Sequence, residues 1–521
     1  MSSSFSLSYT RSGTRARFGV TAMLAALCTV TICIVATGCT SAPHEPPLYD
    51  EGARQKSAFA SLYQQEIGWQ ECDEQYDFDA SVSEQFNGLG LGANDLRCAM
   101  VTAPLNWDDA SNAETIQIAV NRLRSAAETP IGTLVTNPGG PGEGGLNLTY
   151  TLPIAPKFDA VTAAYDLVGF DPRGVGRSTP TICAEPSGNS SVDLARCAAA
   201  NPVANYMGTS QVARDIELVR TLIGAEKLNY LGYSYGTVLG ATYATLFPDT
   251  VDRMVLDSAI DSQWASARQE FDQNVAIASA ISELLAGCEA SEVHGACPST
   301  AAALGDVMSK LDATPLLASD RTEVAGESLH SYLVTALYER NTGRQSALDT
   351  VSRALAGEQS AIDDLARESA AGGSMIDLTG NLIECHSFPT DPDVVALIEH
   401  MQATGIPASM GGPEFTQEIL DEFVDLSCFA LRGVGDDITD SFSGPTGQPV
   451  LVIGITGDHA TPYGSSQRLV QELGNARLLT LEGHGHAATF VDRSSCADDA
   501  TVAYLIDGIV PREGTVCKDD A

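Results

Sequence analysis

Apolar and polar positions along the chain fall into two regimes. Short apolar, β-branched runs that end in turns occupy residues 116–120, 133–136, 167–170, 228–231, 254–256, 450–453 and 476–481. Stretches of helical character separate them. Val212, Ile216, Val219 and Leu222 recur at helical spacing and predict a helix over 210–222, with further helices over 235–247 and 464–473. Continuous apolar strands alternating with helices predict an α/β fold: a mostly parallel sheet covered on both faces. The stretch 262–443 differs, being rich in Ala, Glu and Leu with few strand-like runs. It reads as a largely helical cap inserted between a first sheet-forming part, 71–261, and a second, 444–521.

The first residues read as an address. Residues 1–38 contain Arg11, Arg15 and Arg17 and no acid, then an apolar run from about Phe18 to Ala36, then Ala36-Thr37-Gly38-Cys39. A basic flank, an apolar stretch and small residues before a cut describe a secretory signal. Cysteine directly after Ala-x-Gly resembles a bacterial lipobox, which implies cleavage before Cys39 and a lipid on its sulfur. The competing reading is a transmembrane anchor, since the run is nearly long enough to span. Either way the remainder is expected to be exported, and on the lipobox reading it is held to the outer face of the cell membrane through Cys39 and partly released. Within an extension over 39–70, Thr40 to about Lys56 carries Pro43, Pro46 and Pro47 and reads as a flexible tether.

Cysteine usage and charge refine this picture. Of 13 cysteines, Cys28 and Cys33 leave with the signal and Cys39 is the lipid site. The remaining cysteines are even in number, and an oxidising compartment favours disulfides. Pairing neighbours gives Cys72–Cys98, Cys183–Cys197, Cys288–Cys297, Cys385–Cys428 and Cys496–Cys517. No CxxC occurs and the histidines are not spaced as zinc ligands, so no metal or cofactor is expected. The chain has 29 Lys and Arg against 67 Asp and Glu, a formal charge of −38. That excess of negative charge repels phosphate backbones and argues against nucleic-acid binding.

The chemistry centres on Gly232-Tyr233-Ser234-Tyr235-Gly236, a G-x-S-x-G between an expected strand and an expected helix. This is the context in which a tight turn presents a serine hydroxyl at the carboxyl edge of a sheet. A serine needs a base, oriented in turn by an acid. Asp458 ends the run Ile453-Gly454-Ile455-Thr456-Gly457-Asp458, and Glu482-Gly483-His484-Gly485-His486 follows the next strand. An acid after one strand and a histidine after the next fit the order Ser, acid, His. His459 adjoins the acid and is poorly placed to be the base. His484 and His486 both stay open on spacing, with His486 favoured. The glycine-rich Asn137-Pro138-Gly139-Gly140-Pro141-Gly142-Glu143-Gly144-Gly145 offers Gly140 as an oxyanion donor, with the Tyr235 N–H as the second. Its formal GxGxxG is interrupted by proline and lacks a dinucleotide unit after it.

Four segments carry a resemblance: Asn137-Pro138-Gly139-Gly140-Pro141-Gly142, Gly169-Phe170-Asp171-Pro172-Arg173-Gly174-Val175-Gly176-Arg177-Ser178, Gly232-Tyr233-Ser234-Tyr235-Gly236-Thr237 and Gly457-Asp458-His459-Ala460-Thr461-Pro462. In this order they resemble the secreted tripeptidyl aminopeptidases of actinobacteria, which belong with proline iminopeptidases among the α/β-hydrolase serine peptidases. The resemblance spans roughly residues 70–517. It implies an α/β-hydrolase core with a helical cap, a Ser234–Asp458–His486 triad, and a serine exopeptidase that releases tripeptides from free N-termini of peptide substrates. It matches Gly-x-Gly-His with His486 last, Cys385 and Cys428 with the family's cap cysteines, and Cys496 and Cys517 with its C-terminal pair. Ser387 stands where the family tends to carry Asp, which leaves Glu384 as the acidic candidate for the substrate amine. The alternatives are an esterase or lipase acting on cell-envelope esters, and a non-catalytic peptide-binding lipoprotein.

Overall fold

The computed structural model describes residues 50–520, except 89, 91–94, 185–186, 265, 291–295, 374–377, 389–392, 408–409, 411, 425, 434–436 and 438–440. The signal segment 1–38, Cys39 and most of the expected tether lie outside the described residues.

Among the described residues, eleven strands run in chain order as β1 Leu96–Pro104, β2 Thr115–Leu123, β3 Gly132–Asn137, β4 Tyr165–Phe170, β5 Leu228–Tyr233, β6 Val251–Asp257, β7 Leu316–Leu317, β8 Glu323–Val324, β9 Val450–Gly457, β10 Ala476–His484 and β11 Thr515–Lys518. Nine form one sheet in the order β1-β2-β4-β3-β5-β6-β9-β10-β11, while β7 and β8 make a separate small pair. β2 pairs antiparallel with β1 and with β4, and every other pairing in the large sheet is parallel.

Alternate residues of the same strands enter two different cores. Val135, Val168, Tyr230, Leu256 and Val452 face one side; Leu134, Leu167, Leu231, Val255 and Leu451 face the other. Helices cover both faces, so the central strands are apolar throughout rather than alternating. Helix Thr209–Leu222 lies on one of these faces and is buried over almost its whole length. Strand order reverses around β3, whose two parallel neighbours are β4 and β5. The crevice beyond the carboxyl ends of β3 and β5 is where such sheets place ligands.

Between β6 and β9 the chain is mainly helical. Helices drawn from 267–366 close on their own core around Leu285, Leu304, Leu329, Leu333, Leu348, Val351 and Leu365. Phe271, Leu397, Met401, Ile419, Leu420 and Phe423 form another. Helix Leu378–Ser387, by contrast, puts Leu382, Ile383 and Cys385 into one of the two sheet cores.

Two features depart from the sequence reading. The tether does not extend through residue 56: Glu51–Ala58 is an α-helix capped by Asp50. It docks on the sheet domain, with Gln55 Nε2 donating to Arg214 O at 2.9 Å and Arg214 Nε to Glu51 at 2.9 Å. The edge strands β1 and β11 were not among the apolar runs. β1 mixes Arg97, Thr102 and Pro104 with small residues because it lies at the sheet's edge, where proline costs no ladder bond.

The five disulfides join Cys72–Cys98, Cys183–Cys197, Cys288–Cys297, Cys385–Cys428 and Cys496–Cys517. The segment after β4 is a structural clamp. Arg173, fully buried, donates to both oxygens of Asp215 at 2.8 and 2.6 Å and to Leu105 O at 2.9 Å. Trp107 Nε1 donates to the same carboxylate at 2.8 Å. A buried charge so completely paired is tolerable, whereas losing one partner typically costs about 3–5 kcal/mol.

Candidate active site

Ser234 follows β5 directly and caps helix Tyr235–Leu246. Its φ of 53° and ψ of −127° are strained for a residue with a Cβ. The flanking glycines make this turn possible. A Cβ on Gly232 would lie 2.5 Å from Gly236 O, and one on Gly236 would lie 2.7 Å from Asn137 Oδ1. The glycine-rich loop after β3 presses against the same turn: a Cβ on Gly139 would meet Tyr233 O at 2.5 Å and Tyr235 N at 3.0 Å. Gly139 spends its own N–H on Asn137 Oδ1 at 3.0 Å, so Gly140, at φ 104°, carries the next amide along the loop. Tyr235 opens the helix, where the first backbone N–H groups have no intrahelical acceptor. The side chain of Tyr235 turns away, its hydroxyl 2.6 Å from Thr209 Oγ1.

Asp458 and His486 meet at the ends of neighbouring parallel strands, β9 and β10. Nδ1 of His486 lies 3.1 Å from each carboxylate oxygen of Asp458. Asp458 also accepts from Ala460 N at 3.0 Å, Thr461 N at 2.9 Å and Thr461 Oγ1 at 2.9 Å. Burial by itself would raise the pKa of Asp458. The charge and hydrogen bond of His486 overcome it, with help from the Thr461 N–H, and hold the carboxyl below its ordinary value. The acid is therefore an anion aimed at the imidazole.

The structure separates the three histidines. His486 is largely buried, its side chain 10% exposed, against Asp458. His484 is 49% exposed and pairs with Glu283 at 3.1 Å. His459 is buried with its ring 6.5 Å from that of His486 between centroids, its ring nitrogens find no hydrogen-bond partner, and desolvation lowers its pKa to about 3. Tyr338, just past helix Gly326–Leu337, sets its ring edge-to-face against His459 at 4.5 Å and His486 at 5.8 Å between centroids. The Ser234 hydroxyl is buried and makes no hydrogen bond in this structure, so its bond to His486 is not formed here. Such bonds often tighten only when substrate binds.

The comparisons with known proteins fit this geometry. Residues 132–312 match the family model of the α/β hydrolase fold, and residues 415–517 match that of the TAP-like proteins. The chain is 31% identical over 478 residues to the serine protease Hip1 of Mycobacterium tuberculosis, covering 81% of this chain and 87% of that protein. The chain belongs to the TAP-like α/β hydrolases. Membership makes it a serine hydrolase with a doubly covered sheet. The tripeptidyl aminopeptidase of Streptomyces lividans is 27% identical over 82% of this chain and 84% of its own. Carboxylesterase B of Mycobacterium tuberculosis is 29% identical over 86% and 89%.

For this TAP-like hydrolase, sequence reasoning missed Thr461, Tyr338, Asp257 and Ser258. Thr461 had a signal: Asp458-x-x-Thr461 is the spacing at which a carboxylate caps its own turn. Glu384 lies on helix Leu378–Ser387, beside the Cys385–Cys428 disulfide. Its charge reaches the Tyr235 hydroxyl, which burial, foremost, and the charges of Asp437 and Glu384 hold above its ordinary pKa. Ser387 is buried and accepts from Thr209 N at 3.0 Å and Thr209 Oγ1 at 2.7 Å, tying its helix to the one beginning at Thr209. Among the described residues no helix is long and apolar enough to cross a membrane, and no cluster of three or more His, Cys, Asp or Glu side chains could hold a metal.

Proposed function

We propose that the protein is an exported serine exopeptidase, anchored by lipid at Cys39, that releases short peptides, tripeptides foremost, from free N-termini. The observation that carries this reading is the Asp458–His486 pair at the same carboxyl edge as the Ser234 elbow. Ser234 Oγ attacks the scissile carbonyl carbon while His486 Nε2 takes the hydroxyl proton. Asp458 keeps the His486 proton on Nδ1 and supports the imidazolium that forms. The N–H groups of Gly140 and Tyr235 receive the oxyanion. His486 then protonates the departing amine as the C–N bond breaks. Water, activated by the same imidazole, hydrolyses the acyl-enzyme and restores Ser234.

Peptidase relatives support an amide substrate, and the helices over the sheet edge supply a surface that closes one end of a cleft. Glu384 is the proposed partner of the substrate ammonium, which would otherwise lose its hydration without compensation. The carboxylesterase relative gives an ester substrate as the second reading. A panel of free-amine tripeptide anilides, their N-acetylated forms and short acyl esters decides between them. The expected order is free tripeptide first, with Glu384→Gln weakening free-amine substrates while sparing acetylated ones and esters. Faster turnover of esters than of any peptide would establish the second reading.

A further inference from the structure

The two residues at the carboxyl end of β6 touch all three segments that carry the proposed triad. Asp257 O accepts from Ser234 N at 3.0 Å, at the elbow. The Asp257 carboxylate, fully buried, accepts from Ala488 N at 3.0 and 3.1 Å, Thr489 N at 2.8 Å and Thr489 Oγ1 at 2.6 Å, in the loop that follows His486. Ser258 Oγ accepts from Ala487 N at 2.9 Å, the residue next to His486. Ser258 O accepts from Thr461 Oγ1 at 3.0 Å, the same hydroxyl that caps Asp458. Ser258 also donates its N–H to Ile453 O of β9 at 3.0 Å and stands at φ 54°, a strained conformation for serine.

This arrangement exceeds what packing requires. An aliphatic side chain at 257 would fill space, yet a buried carboxylate stands there at a desolvation cost of several kcal/mol. Three donor groups of one short loop, the N–H groups of Ala488 and Thr489 and the Thr489 hydroxyl, offset part of that cost, while burial still holds the carboxyl above its ordinary pKa. Ala487 and Phe490 both have positive φ, so the loop they bracket is bent in a way L residues rarely adopt unaided. The bend holds because Asp257 and Ser258 receive its N–H groups from Ala487 to Thr489, and Asp498 receives the next, Phe490 N, at 2.7 Å.

We propose that Asp257 and Ser258 are the positioning residues of the triad: one dipeptide at the end of β6 sets the relative placement of Ser234, Asp458 and His486. They touch neither substrate nor reacting atoms and act through the three segments. A displacement of about 1 Å between nucleophile and base is enough to lower the rate about 100-fold. The titratable groups facing Asp257 are His486 on the loop, Tyr233 on β5 and Asp498 on helix Ser495–Asp507.

The inference rests on the triad assigned above and is tested by Asp257→Asn, which keeps shape and removes charge. Active sites are counted with a fluorophosphonate, and kcat and KM are measured per labelled site from pH 5 to 9. The expected result is kcat lowered about 10- to 100-fold with KM within about twofold of wild type. Unchanged kcat per labelled site, or a loss carried by KM with kcat unchanged, overturns the proposal and leaves Asp257 a packing residue. Should the Asn protein not fold, Ser258→Ala takes its place, since it removes only the acceptor for Ala487 N–H. Its expected loss is about threefold to tenfold in kcat, and no loss overturns the proposal. Failure of the triad reading looks different, because wild-type activity would then survive Ser234→Ala.

Discussion

The carboxyl edge of the sheet and the helices between β6 and β9 meet over the same crevice but are built on different principles. At the edge, buried carboxylates and hydroxyls are held in a hydrogen-bond network, and the Ser234 hydroxyl and the His459 ring nitrogens stand beside it without a bond in this structure. Asp458, Asp257 and Ser258 together take hydrogen bonds from residues 234, 460–461 and 486–489, and Ser258 donates to Ile453 O, so each group is fixed by its neighbours. Apart from Leu378–Ser387, which packs into a sheet core, the helices instead close on separate apolar cores of their own. They reach the edge through isolated contacts. Gln273 Nε2 donates to Ala460 O at 2.6 Å, Gln269 Nε2 to Ser465 Oγ at 3.0 Å, and Tyr338 lies across His459 and His486. The edge fixes its groups by mutual hydrogen bonds, whereas these helices touch it at separate points.

The sharpest way to break this contrast lies within the edge. His486→Ala should lower kcat/KM by about 10⁴-fold or more, as loss of a triad base does. His484→Ala should keep most activity, because its ring is outside the network and paired with Glu283. Steady-state kinetics of the two proteins check this, and collapse at His484 alone would move the base. A smaller effect is expected at the seam. Tyr338→Ala should lower kcat/KM about tenfold by letting water reach the imidazoles it covers, a cost of about 1.4 kcal/mol. Tyr338→Phe keeps the ring and should restore most of the loss. If both variants fall equally, the hydroxyl and not the ring carries the effect.

The same contrast explains what could be read from the sequence. The central strands and the elbow were legible because their constraints are local: an apolar run buried on both faces, a serine between glycines, an acid and a histidine after successive strands. His486 was harder to separate from His484, since both lie in one Gly-x-Gly-His stretch and only the fold buries one against Asp458. Asp257 and Ser258 gave no signal, because they act on residues that are adjacent only in space, more than 190 positions on in the chain for Thr461 and Ala487. Tyr338 belongs to a helix whose pattern reports its own core and not the imidazole beneath it. The helix Glu51–Ala58 was hidden by the proline-rich stretch before it, although Asp50 and Glu51 are ordinary helix-start residues.

The central claim is that Ser234 is the nucleophile of a triad completed by Asp458 and His486. Fluorophosphonate labelling of the folded protein, followed by peptide mapping, tests it most directly. The account predicts a single modified residue, Ser234, with labelling and turnover lost together in Ser234→Ala at unchanged thermal stability. Modification at another serine, or turnover that survives in a folded Ser234→Ala protein, would contradict it.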